Sequence, residues 1–141
     1  GQDLFALFFN DFDKSTIKYF LEIGAREPDI RNNTYLLETE YNFRGIMIDL
    51  VDTHYNDFIK KRNSDITSYI VKDATKINYS DLLKEKQFPK LIDYLQIDLD
   101  AENGSTLACL KLIKEDDMEK IIFNNLKELK LKINYFMNIL G

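Results

Sequence analysis

Strands alternating with helices four times along the chain, each strand apolar along most of its length, predict an α/β fold built on a doubly wound parallel sheet. A second observation sets the sheet's chemistry: each predicted strand ends on an acid, at Glu22, Asp49, Asp73 and then Asp98 and Asp100. A third is size. At 141 residues with 5 Gly and 2 Pro, the chain holds one domain with a real core and little linker.

The elements follow in order. "GQDLFALFFNDF" carries Leu4, Phe5, Leu7, Phe8, Phe9 and Phe12 and predicts a short helix that packs an aromatic face. "KYFLEIG" is a buried strand, apolar on both faces apart from its terminal acid. "NTYLLETEY" is a helix capped by Asn33 or Thr34. "RGIMIDL" is a second strand, opened by Gly45. "VDTHYNDFIKKRN" is an amphipathic helix with Val51, Tyr55, Phe58 and Ile59 on its inner face and basic residues at its C-terminus. A shorter strand, "TSYIVKDA", precedes a helical turn, "YSDLLKEKQ", and Pro89. The fourth strand is "LIDYLQIDLD", and "STLACLKLI" is a helix that Ser105 can cap. Such a series is wound by right-handed crossovers that cover both faces of the sheet. The segment from 115 to 141 places Ile122, Leu126, Leu129, Ile133 and Leu140 near helical spacing and is expected to be a helical tail. A four-stranded sheet followed by an apolar tail reads as incomplete at its C-terminus.

Charge and cysteine usage narrow the function. A net charge of −5 lacks the clustered basic face of a nucleic-acid binder. No run reaches the ~20 apolar residues of a membrane span, and no secretory leader is visible. Cys109 is the one cysteine, set between leucines, and reads as a core residue of a protein kept in a reducing, cytoplasmic compartment. One Cys and one His make a zinc site a poor expectation, and His54 reads as a solvated helix residue.

The strand-end acids carry the functional expectation. In an open parallel sheet, ligands sit beyond the C-terminal edges of the strands, where strand order reverses. Gly24 allows close approach of backbone to a ligand, and helix N-terminal amides lie near it. Asp49 stands 25 positions later, close to the spacing at which an acid accepts the hydroxyls of an adenosine ribose. The glycines of a pyrophosphate loop are missing, because Ala25, Arg26, Glu27 and Pro28 follow Gly24. A cofactor with ribose and adenine but no phosphate fits that pattern, and S-adenosylmethionine is the common one.

"FLEIGAREPDIRNNTYLLETEYNFRGIMIDL", together with "DYLQIDLDAENGSTLACLKLI" and the opening "GQD", resembles the FkbM family of S-adenosylmethionine-dependent methyltransferases over about residues 1 to 114. The family runs F-hydrophobic-E-I-G-A-N-D-G, then S-N-T-x-x-L-E, then G-hydrophobic-hydrophobic-I-E-P, and later D-Y-L-S-I-D-hydrophobic-E-G. The resemblance implies a Rossmann-like domain of the methyltransferase type. It implies that Glu22, Gly24 and Ala25 lie toward the methionine end of the cofactor, and that Asn33, Thr34 and Glu38 shape the same pocket. By the same token Asp49 accepts the ribose, Asp73 and Ala74 face the adenine, and Asp98 and Asp100 lie where the methyl is delivered. One of that last pair is then a general base or a contact for the cofactor's ammonium group.

The implied reaction is methyl transfer to a sugar or glycan hydroxyl. Arg26, Glu27 and Pro28 depart from the family's N-D-G, and Ala101 stands at a usual glycine. From about residue 115 the chain diverges, which leads to the expectation of a truncated or altered domain. Two other readings follow from that divergence. One is a catalytically dead remnant that binds the cofactor weakly, the other an interaction domain whose apolar tail makes a homo-oligomer.

Overall fold

The computed structural model describes residues 2–89, 92–99 and 103–113. Among them the order is α1 (Gln2–Phe9), β1 (Lys18–Ile23), α2 (Tyr35–Tyr41), β2 (Phe43–Asp49), α3 (Tyr55–Lys61), β3 (Thr67–Val71), a 3-10 turn (Ala74–Lys76), α4 (Tyr79–Glu85), β4 (Tyr94–Ile97) and α5 (Ser105–Ile113). The tail expected to be helical, Asp100 and Ala101 lie outside the described residues. The four strands form one parallel sheet in the order β3-β2-β1-β4. Strand order therefore reverses between β1 and β4, an arrangement compatible with a Rossmann-like sheet.

Side chains alternate across the sheet, and the two faces differ. One face, formed by Leu21, Ile23, Ile46, Ile48, Ile70, Leu95 and Ile97, packs under Tyr79, Leu82 and Leu83 of α4 and Cys109 and Ile113 of α5. The other sets Phe20, Met47, Tyr69 and Tyr94 against Ala6 and Leu7 of α1, Leu37 of α2 and Phe58 of α3. Helices thus cover both faces. The first face is apolar except for Arg44 and Ser68, near the starts of β2 and β3. The second carries Glu22 in register with Met47, and Asp49 two residues beyond, so the expectation of strands apolar on both sides fails most on this second face.

Local chemistry explains several boundaries. Asn42 ends α2 in the left-handed region at φ 60°, a conformation asparagine tolerates, and its N–H donates to the Leu37 carbonyl. Asn78 opens α4 with its side chain accepting the Asp81 N–H at 3.0 Å. Asp13 organises the turn into β1: its carboxylate accepts from Ser15 and Thr16 and pairs with the buried Lys18 ammonium at 3.1 Å. Gly45 faces Phe20, and a Cβ there would fall 1.8 Å from the Phe20 ring, so the missing side chain is the space that ring fills.

In the opening segment Ala6 and Leu7 are buried and Leu4, Phe8 and Phe12 exposed, while the side chains of Phe5 and Phe9, which the expected aromatic face includes, lie outside the described ones. Two expectations need correction. On α3 only Phe58 is buried; Val51, Tyr55 and Ile59 are exposed, because the helix begins at Tyr55 and turns one narrow face inward. His54 precedes α3 at its N-cap position and is half-buried, not a residue of the helix itself.

Candidate functional site

The β1–α2 loop, residues 24–34, is the centre of the structure's polar chemistry. It leaves the sheet at the point of strand reversal. Gly24 takes φ +83°, donates to the Ile48 carbonyl at 2.8 Å, and lies under the end of β4: a Cβ there would stand 2.2 Å from the Asp98 carbonyl oxygen. The glycine is therefore required by the chain's own backbone. Ala25 is buried and also donates to Ile48. Arg26 and Arg31 take φ of 50° and 58°, an unusual conformation for residues with a side chain.

Glu22 is 1% exposed at the end of β1. Its Oε2 accepts the Thr34 hydroxyl at 2.7 Å, and Asn32 Nδ2 lies 3.2 Å from both carboxylate oxygens. Burial pushes its pKa up to about 7, against the lowering effect of those hydrogen bonds and of Arg62, while the Asp98 charge adds to the rise. Among the described residues, Asn32 and Thr34 cover the Glu22 carboxylate.

Asn32 is the joint of the loop. Its Nδ2 also reaches the Glu27 and Ala25 carbonyls at 3.0 and 3.4 Å, and its Oδ1 accepts the N–H groups of Thr34 and Tyr35, each at 2.9 Å. Asn32 thus satisfies the orphan amides that open α2, the task expected of Asn33 or Thr34. Thr34 occupies the N-cap position without a side-chain cap bond, because its hydroxyl is turned to Glu22. Asn33 is half-buried beside it.

Glu38, expected to shape a cofactor pocket, is buried and bonded within the protein. Its carboxylate accepts from Arg62 Nε at 2.8 Å and Nη2 at 2.7 Å, from the Thr67 hydroxyl at 2.5 Å and from the Asn63 amide at 3.0 Å. The Arg62 side chain is fully buried, with its guanidinium 5.7 Å from the Phe20 and Tyr35 ring centroids. Removing one partner of such a buried pair costs ~3–5 kcal/mol, since the other charge is left alone. All buried side-chain polar atoms among the described residues have a partner.

Asp49 ends β2 on the same face of the sheet as Glu22. Its Oδ2 accepts the Arg26 N–H at 2.9 Å and, more loosely, the Tyr69 hydroxyl at 3.4 Å; its Oδ1 accepts the Leu50 N–H at 2.7 Å. Burial and the adjacent Asp49 charge hold the Tyr69 phenol well above the usual tyrosine range. Asp98 is exposed after β4, and its N–H donates to Ile23 at 2.8 Å, which ties β4 to the tip of β1. By alternation it follows Tyr94 and Gln96, the latter in register with Glu22.

Glu22, Asp49 and Asp98 thus share one face at the strand ends. The other expected pair is placed differently. Asp73 caps the 3-10 turn, accepting the Thr75 N–H at 3.0 Å and hydroxyl at 2.6 Å and pairing with Lys76 at 3.4 Å, and these contacts hold its pKa below the ordinary carboxylate value. Ala74 is buried in the opposite core, with its carbonyl accepting the Tyr79 hydroxyl at 2.8 Å. Among the described residues no group of three or more His, Cys, Asp and Glu is arranged to hold a metal ion, and no helix is long and apolar enough to cross a membrane.

Sequence reasoning passed over Asn32, Arg62, Thr67 and Tyr69. Asn32 had a signal, since an asparagine three residues before a helix start is a common side-chain turn former. Arg62 had none: in "KKRN" it follows two exposed lysines and reads as one more basic residue at a helix end. Comparison with family models, with curated proteins and with solved structures finds no match to this chain.

Proposed function

We propose that this chain is a methyltransferase domain of the Rossmann-like type that uses S-adenosylmethionine to methylate a sugar or glycan hydroxyl. The observation that carries the reading is the grouping of Glu22, Asp49 and Asp98 on one face at the strand ends, beside the reversal of strand order between β1 and β4. Ligands of open parallel sheets bind at such a reversal. The sequence resemblance to the FkbM family supplies the choice of cofactor.

The acceptor chemistry of Asp49 fits a nucleoside. A carboxylate offers about four lone-pair sites. Two of these on Asp49 take backbone N–H groups at normal distances, a third holds the Tyr69 hydroxyl at only 3.4 Å, and the fourth has no partner among the described residues and suits a ribose hydroxyl. Asp73 fits the adenine role less well, because its carboxylate already caps the 3-10 turn. Bound, S-adenosylmethionine supplies a methyl group already activated on a sulfonium.

The chain's own work is then to hold and to orient. Asp49 accepts the ribose, and the β1–α2 loop fixed by Asn32 and Thr34 forms the wall beside it. Asp98, exposed at the end of β4, receives the proton of the acceptor hydroxyl as the oxygen takes the methyl.

The test is transfer of a labelled methyl from S-adenosylmethionine to a panel of glycans. The proposal expects labelled glycan, with transfer reduced at least about tenfold in Asp98→Asn, the lower end of what a general base contributes. No labelled glycan from a chain that binds the cofactor would leave a binding domain in place of an enzyme.

A further inference from the structure

The β1–α2 loop does not hold itself. Three of its residues, Gly24, Arg26 and Arg31, take left-handed backbone, which for the two arginines is unfavourable without outside support. Glu22, Ile48 and Asp49 hold the loop from the sheet, and Lys61 pairs with Asp29. The most extensive support from α3 is Arg62, which enters from the end of that helix, 28 positions beyond the loop's last residue, Thr34. Arg62 Nη1 donates to the Pro28 carbonyl at 2.9 Å and to Asn32 Oδ1 at 3.2 Å, and Nη2 reaches the Thr34 hydroxyl at 3.3 Å. Its remaining donors are fixed by Glu38 of α2. Asn32 in turn holds the carbonyls of Ala25 and Glu27, the residues on either side of Arg26, whose N–H meets Asp49.

We propose that Arg62 is the positioning residue of the strand-end site: through Pro28 and Asn32 it sets where the Arg26 amide meets Asp49, and so prepares Asp49 for its ligand without touching that ligand. A lysine could keep the charge opposite Glu38 but has no planar fork to reach Glu38 and the loop together. The proposal deepens the nucleoside reading of the site and rests on it for its binding readout alone.

The experiment compares wild type with Arg62→Lys in two measurements, amide hydrogen exchange along the chain and calorimetric affinity for S-adenosylmethionine. The proposal expects exchange at Arg26, Thr34 and Tyr35 to rise at least about tenfold, the effect of losing one hydrogen bond to a charged group, with amides of Leu21, Ile46 and Ile48 unchanged. Affinity is expected to weaken by a similar factor. Loop exchange equal to wild type overturns the proposal, and so does acceleration spread evenly through the sheet, which would mark Arg62 as a general stabiliser. If Arg62→Lys does not fold, Asn32→Ala cuts the link from Arg62 to the Ala25 and Glu27 carbonyls while leaving the Arg62–Glu38 pair. The Arg26 amide, which Asn32 does not bond, then decides: faster exchange there supports the proposal and exchange equal to wild type overturns it. If wild type binds no S-adenosylmethionine, the nucleoside reading fails, and the exchange pattern still decides the role of Arg62.

Discussion

Replacing Glu22 with glutamine tests the balance that governs the centre of the site. In the native protein burial favours the neutral carboxyl, while Thr34, Asn32 and Arg62 favour the charged one, and burial wins. The rise from 4.5 to about 7 corresponds to about 3 kcal/mol at 1.36 kcal/mol per pH unit. Below pH 4.5 the group is protonated in both folded and unfolded chains and contributes no pH dependence. Between 4.5 and about 7 the unfolded chain gives up this proton while the native protein keeps it, so stability falls as pH rises. Above about 7 the whole penalty is present.

Glu22→Gln does not titrate there. Its stability relative to wild type should therefore rise by about 3 kcal/mol from pH 4.5 to pH 8, a large part of the 5–15 kcal/mol that holds a typical domain together. Urea unfolding of both proteins across that range measures the difference, in which the titration of every other group cancels. A difference flat to within about 0.5 kcal/mol would refute the reasoning, because it would mean that Glu22 titrates alike in folded and unfolded chains. A fall in place of a rise would mean that Arg62 and the two donors outweigh burial.

Two further substitutions probe the loop. Gly24→Ala sets a Cβ 2.2 Å from the Asp98 carbonyl at φ +83°, and should cost at least about 2 kcal/mol in chemical denaturation; a loss under about 0.5 kcal/mol would show that β4 can move aside. Arg26→Gly removes a side chain from an exposed left-handed position and should stabilise by about 0.5–1 kcal/mol, the left-handed cost less the added freedom of the unfolded glycine. A destabilised Arg26→Gly would show that the arginine side chain contributes more than its backbone costs.

The sheet was legible in the sequence because its signals are local. Runs such as "GIMI" and "YLQI" mark strands, and the acid after each marks its end. Asparagines at 42 and 78 sit at helix boundaries for conformational and capping reasons that a single sequence carries. The inner face of α3 was misread because Val51, Tyr55, Phe58 and Ile59 keep helical spacing from Val51, whereas the helix begins only at Tyr55.

The site was legible only in part. Asp49 and Asp98 could be placed from strand ends alone. Glu22 could be placed but not interpreted, since whether an acid at a strand end meets solvent or is sealed depends on what folds over it, here Thr34 and Asn32. Glu38 and Arg62 are separated by 24 positions and meet only when α2 and α3 lie side by side on the sheet, a contact with no periodicity to announce it. The same holds for Gly24, whose necessity comes from β4, more than 70 residues away in sequence.

Isothermal titration of the chain with S-adenosylmethionine, beside Asp49→Ala, bears most directly on the strand ends as a nucleoside site. A saturable one-to-one heat for the native chain, lost in a folded Asp49→Ala, is the predicted result. No heat from the folded native chain, or equal heats from both proteins, would contradict it.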